Sequence, residues 1–99
     1  MAIENSNLSI EELSLIEGKI ESNIAIVSDY EKLDYFLSTI GSPNYLLQRF
    51  RKHQINSYEE FIVERKKKEN KDSAVNGILI RNVFGAINIL KSYVLKEFE

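Results

Sequence analysis

Between Ser73 and Phe98 the chain is at its most apolar, and a single period dominates. On a 3.6-residue repeat Leu79, Val83, Ile87, Leu90 and Val94 fall on one line, with Ile80, Ala86, Tyr93 and Phe98 beside it. Gly77, Arg81, Gly85, Asn88, Ser92, Lys96 and Glu99 form the opposite line. The spacing predicts a helix of about 26 residues, or roughly 39 Å, with Asp72 or Ser73 placed to cap its start. Its apolar arc is wider than the roughly 100° of a surface helix. Ile78 and Ile89 extend one flank, and Phe84 and Leu95 extend the other. Such a helix should be covered on more than one side. It is either the central helix of a bundle or a helix shared between the core and a subunit interface, with Phe84 and Leu95 as the interface residues. Gly77 and Gly85 weaken the helix by about 1 kcal/mol each. A close helix crossing or a ligand groove would account for them, and Arg81 would then line a pocket between subunits.

The N-terminal half repeats the pattern. Ser9 with Glu12 is a capping box, and Leu8 with Leu13 can form a hydrophobic staple. Leu13, Ile16, Ile20, Ile24, Val27, Tyr30, Leu33, Leu37 and Ile40 then follow at helical steps. That predicts a long first helix ending at Gly41, a residue suited to a left-handed C-terminal position. Gly18 and a second capping pattern, Ser28 with Glu31, mark places where it could kink. Ser42-Pro43 predicts a short second helix over about Pro43 to His53, with Leu46, Leu47 and Phe50 inward. Ser57 with Glu60 opens a third, carrying Tyr58, Phe61, Ile62 and Val63 inward before the charged stretch Arg65 to Lys71. No segment alternates as a strand would over five or more residues, apart from Ile24-Ala25-Ile26-Val27, which fits the helix better.

The expected fold is all-α: one small helical bundle of residues 1–99, with residues 1–8 as a flexible terminus. Two long antiparallel helices are joined by two short ones. An unbroken first helix would be roughly 48 Å long, too much for the short helices to wrap. A homo-oligomer is therefore expected, its closure burying the excess apolar surface.

Composition removes function classes. There is no cysteine and a single histidine, His53, so thiolate and multi-histidine metal sites are excluded. No catalytic constellation, phosphate loop or cofactor motif is present, and the expectation is a protein that is not an enzyme and holds no metal or cofactor. No basic-then-apolar leader and no apolar run near 20 residues is visible, which points to a cytoplasmic protein without a membrane contact. The net charge of −2 is uneven. Residues 1–35 hold eight acidic groups and two lysines, whereas residues 36–99 hold eleven basic and seven acidic groups.

The basic excess gives the candidate binding residues: Tyr45, Arg49, Lys52 and His53 on one helix face, then Arg65, Lys66, Lys67 and Lys68. Basic groups with an aromatic neighbour suit a phosphate, a nucleotide or nucleic acid, or an acidic protein surface. A helix-turn-helix fails, because Tyr58, Phe61 and Ile62 stand where base contacts would be needed. The leading expectation is an interaction protein that binds a protein partner stoichiometrically, as an inhibitor or sequestering protein of the kind carried by phages or mobile elements. The alternative is a binder of nucleic acid or a small phosphorylated ligand through residues 49–71 or a pocket at Arg81.

Overall fold

The computed structural model describes residues 8–67 and 74–97. Lys68, Phe98, Glu99, the terminus 1–7 and the proposed caps Asp72 and Ser73 lie outside them. Five helices and no strand occur among the described residues: α1 Ile10–Glu21, α2 Val27–Thr39, α3 Tyr45–Lys52, α4 Tyr58–Lys66 and α5 Ala74–Glu97. The all-helical expectation holds. The two long helices do not, because the first is two helices and only α5 is long.

The break has a local cause. α1 starts as its capping pattern predicts, with the Ser9 hydroxyl accepting from the Glu12 amide at 3.1 Å, and buries Leu13, Ile16 and Ile20. It stops in a Schellman motif. The Ile24 amide donates to the Lys19 carbonyl at 2.9 Å, the Asn23 amide donates to the Ile20 carbonyl at 3.0 Å, and Asn23 takes a left-handed φ of 60°. The same motif closes α2 at Gly41 (φ 93°) and α3 at Gln54 (φ 67°). There Ser42 donates to Leu37 at 2.8 Å and Ile55 to Phe50 at 3.0 Å. Ser42 is thus spent on the end of α2. Pro43 lies in the turn that follows, and α3 begins at Tyr45, two residues later than its serine–proline pair predicts.

α2 restarts four residues after Asn23. Asp29, buried, accepts the Ile26 amide at 2.9 Å, and Lys19 pairs with it at 3.5 Å. The capping pattern at Ser28 is not used: Ser28 lies in the first turn of α2, and Asp29 does the capping. A second ion pair joins Glu12 to Lys32 at 2.8 Å. Residues nearer the turn pair with each other, and farther ones likewise, as in an antiparallel helical hairpin.

α5 packs against α1, α2 and α3, and α2 also packs against α3 and α4. The line read from the sequence is the line buried: Leu79, Val83, Ile87 and Leu90 are fully buried, and Val94 nearly so. Lys91 fastens α5 to α1 through Glu17 at 2.7 Å. Under α4 an aromatic cluster fills the space, with Phe50 and Phe61 at 4.6 Å and Tyr30 stacked on Tyr58 at 5.3 Å between centroids. The radius of gyration is 13.5 Å, close to the roughly 13 Å of a compact 100-residue domain. Because the first helix folds back on itself, the chain encloses one core by itself, and the length argument for a second chain falls away.

Two sequence expectations about α5 also change. Its span Asn76–Lys96 is 21 residues with mean hydropathy 1.4, so it does pass the length and composition of a membrane-crossing helix; its most apolar line nevertheless faces α1, α2 and α3. The wet flank is not confined to one edge. Leu95 is exposed and Phe84 is partly buried against the core, but Ile78, Ile89 and Tyr93 are exposed on the other flank.

Candidate functional site

The basic residues picked from the sequence lie in three places. Arg49 lies over the Tyr45 ring at 3.8 Å and its Nη1 donates to the Tyr45 carbonyl at 3.4 Å. This pair is thus stacked within α3. Lys52 is exposed, and His53 caps the end of α3. Lys66 lies at the far end of α4, about 13 Å of helix from Ser57. Lys67 pairs with Glu64 at 3.3 Å. Arg65 is half-buried with its guanidinium 5.9 Å above Phe61, and its Nε is buried without a hydrogen-bond partner among the described residues. Arg81 turns back on its own helix, its Nε donating to the Gly77 carbonyl at 3.3 Å.

Sequence reasoning missed a groove between α2 and α4. It consists of two adjoining clefts that share Val27 and Glu59. The first, about 280 Å³, is walled by Ala25, Ile26 and Val27 on one side and Ile62, Val63 and Lys66 on the other. The second, about 270 Å³, holds Glu31, Asp34, Leu47, Asn56, Ser57 and Tyr58. One end is aliphatic and the other is acidic.

Each wall follows from the local folding. The Schellman turn at Asn23 sends Ile24 outward, where it stays 63% exposed. The apolar residue at this position of a Schellman motif usually packs on the last helical turn. For Ile55 that turn offers Phe50, and Ile55 packs against the core. For Ile24 it offers Lys19 and Gly18. Ile26 then occupies the N-cap of α2 and is 60% exposed. Across the groove, the cap of α4 is the Ser57 hydroxyl, which accepts from the Glu60 amide at 3.1 Å. That start sets the helical phase that buries Tyr58 and Phe61 and leaves Val63 54% exposed.

At the acidic end the Tyr58 hydroxyl donates to Asp34 Oδ2 at 2.5 Å, tying α4 to α2. Burial holds the Asp34 carboxyl above the usual carboxylate range, against the opposing effect of this hydrogen bond. Burial and the neighbouring Asp34 charge both push the Tyr58 hydroxyl up, so it stays a donor. Burial likewise raises Tyr30 to about 12. Glu31 and Glu59 are exposed on the same walls. Among the described residues no three acidic or histidine groups converge to hold a metal ion. The carboxylates line the groove without chelating geometry. Compared with known proteins, the chain matches no family, and no curated protein or solved structure matches it.

Proposed function

We propose that this chain acts without catalysis, by stoichiometric binding of a protein partner as an inhibitor or sequestering protein, and that the groove between α2 and α4 is the surface it uses. The observation that carries this is the placement of Ile26. A helix N-cap favours Ser, Thr, Asp or Asn by about 1 kcal/mol. Here the position holds an isoleucine, mostly in water, beside exposed Ile24 and facing exposed Val63. Single exposed aliphatics are ordinary, whereas Ile26 and Val63 line one cleft with exposed Ile24 two residues before Ile26, which makes an apolar surface that a partner would cover. The phosphate-binding alternative has less support, since Arg49 is occupied by Tyr45 and Lys66 lies at the opposite end of α4 from His53. Self-association through Ile78, Ile89 and Tyr93 on α5 is a separate use of apolar surface and has its own test below.

The experiment is affinity capture with the full chain, its Ile26→Ser/Val63→Ser variant, and Ile89→Ser as a control on α5. Serine at position 26 supplies the missing cap, so the variant should fold. A partner held in a one-to-one ratio by wild type and Ile89→Ser, and lost from the groove variant, is the expected result. Equal capture by all three would exclude the groove.

A further inference from the structure

Resting on that reading, we infer that the groove takes a helical or extended protein segment presenting an apolar side chain followed, one to two turns on, by basic side chains. The two clefts define the order. Apolar contacts come from Ala25, Ile26, Val27, Ile62 and Val63, and negative charge comes from Glu31, Asp34 and Glu59. From Val27 to Asp34 is seven residues of α2, roughly 10 Å, so the two ends stand about two helical turns apart. The clefts, at about 270 and 280 Å³, join at Val27 and Glu59. Each has room for a side chain of a larger partner. Residues anchored at i, i+3, i+4 and i+7 are how a helix fills a groove of this kind.

Charge selects among occupants. Of the residues lining the acidic cleft, three are carboxylates and none is basic. Among the described residues the single cation lining the groove, Lys66, stands at its apolar end. An acidic or nucleic-acid segment would meet like charge along half the groove, and a purely apolar one would leave the carboxylates facing nothing. A basic segment meets opposite charge there, which speeds association and rejects wrong partners.

The probes are three labelled helical peptides of about four turns, one with a leucine and lysine face, one with leucine and glutamate, and one with serine and lysine. Fluorescence anisotropy against the full chain is read at low and high salt. The leucine–lysine peptide should bind at least about tenfold more tightly than either other, with the advantage shrinking in high salt. Glu31→Gln/Glu59→Gln should weaken it about fivefold or more, while Glu11→Gln/Glu21→Gln, which removes two exposed charges from α1, should not. If the leucine–glutamate peptide binds equally well and Ile26→Ser/Val63→Ser abolishes both, the groove stands and the basic occupant is wrong. If Ile26→Ser/Val63→Ser changes nothing for any peptide, the groove itself is wrong. If the chain doubles its mass at assay concentration and peptide only breaks the dimer, the occupant is a second copy and the inference fails.

Discussion

Replacing Gly85 by alanine should make this protein more stable, and the sign decides whether a second copy covers α5. Glycine in a helix interior costs about 0.5–1 kcal/mol relative to alanine, mainly because the unfolded chain loses more freedom on folding. That gain is realised only where the new methyl has room. A Cβ built on Gly85 meets no atom of the chain within 4 Å. In a domain of this size 1 kcal/mol moves the midpoint by about 4–8 °C, so Gly85→Ala should raise Tm by about 2–8 °C. Two other glycines calibrate the measurement. Gly18, in α1, is equally open and should give the same gain. Gly41, with φ of +93°, should lose about 1–2 kcal/mol as alanine, the usual cost of a Cβ in the left-handed region. Thermal unfolding followed by far-UV circular dichroism, at two protein concentrations, reads all three. If Gly85→Ala destabilises while Gly18→Ala stabilises, and Tm rises with concentration, then another chain packs on Gly85 and the open face of α5 is an interface.

Two further predictions concern the caps and a titrating group. Ser9→Ala and Ser57→Ala each remove a hydroxyl that accepts a helix amide at 3.1 Å and should each cost about 0.5–2 kcal/mol; Ser28→Ala, at an exposed site inside the first turn of α2, should cost clearly less in the same urea titrations. Asp34 has a folded pKa above its ordinary 3.8, so its contribution to stability is full below that value and is lost as pH rises through the folded pKa. Across a pH series from acid to neutral, the stability difference between wild type and Asp34→Asn should therefore move in the variant's favour, and the reverse slope would refute the buried environment assigned to Asp34.

The buried line of α5 was fully legible in the sequence because one uninterrupted helix keeps its phase from Leu79 to Val94. The break in the first long pattern was legible only as a weakness, at Gly18 and near Ser28. The structure breaks the helix at Asn23, because a left-handed residue there lets Ile24 and Asn23 satisfy the Lys19 and Ile20 carbonyls. Of the three Schellman endings, only the one at Gly41 carries the residue that announces it. Asparagine tolerates the left-handed region and gives a faint signal, while Gln54 gives none. The basic candidates were legible as residue types, but their partners were not. Nothing in the spacing of Tyr45 and Arg49 distinguishes a phosphate site from a guanidinium resting on its neighbour's ring. The groove was invisible for a stronger reason. Its walls come from residues 25–34 and 47–66, and the periodic reading had already assigned Ile24 and Val63 to the interior.

The groove is a consequence of the break. In an unbroken helix Ile24 would lie on the same line as Ile20 and Val27, facing the core. The Schellman turn lets α2 fold back beside α1, shortens the molecule and keeps Ala25 and Tyr30 buried, but it turns Ile24 and Ile26 out. Stability alone would favour different residues at this corner. A serine at position 26 would cap α2, and a charged residue at position 24 would lose little, since Ile24 is 63% exposed with Lys19 and Gly18 as its local neighbours. Instead the corner carries two isoleucines, and α4, whose cap sets its own phase, brings Val63 to face Ile26. Local rules that fail at one place while holding elsewhere are expected where a surface is used. Here they hold at Ser9, Asp29 and Ser57 and fail at Ile24 and Ile26, the second of which lines the groove that also gathers Glu31, Asp34 and Glu59. The same turn that folds α2 back beside α1 therefore leaves Ile24 and Ile26 in water, the apolar surface on which the proposed binding rests.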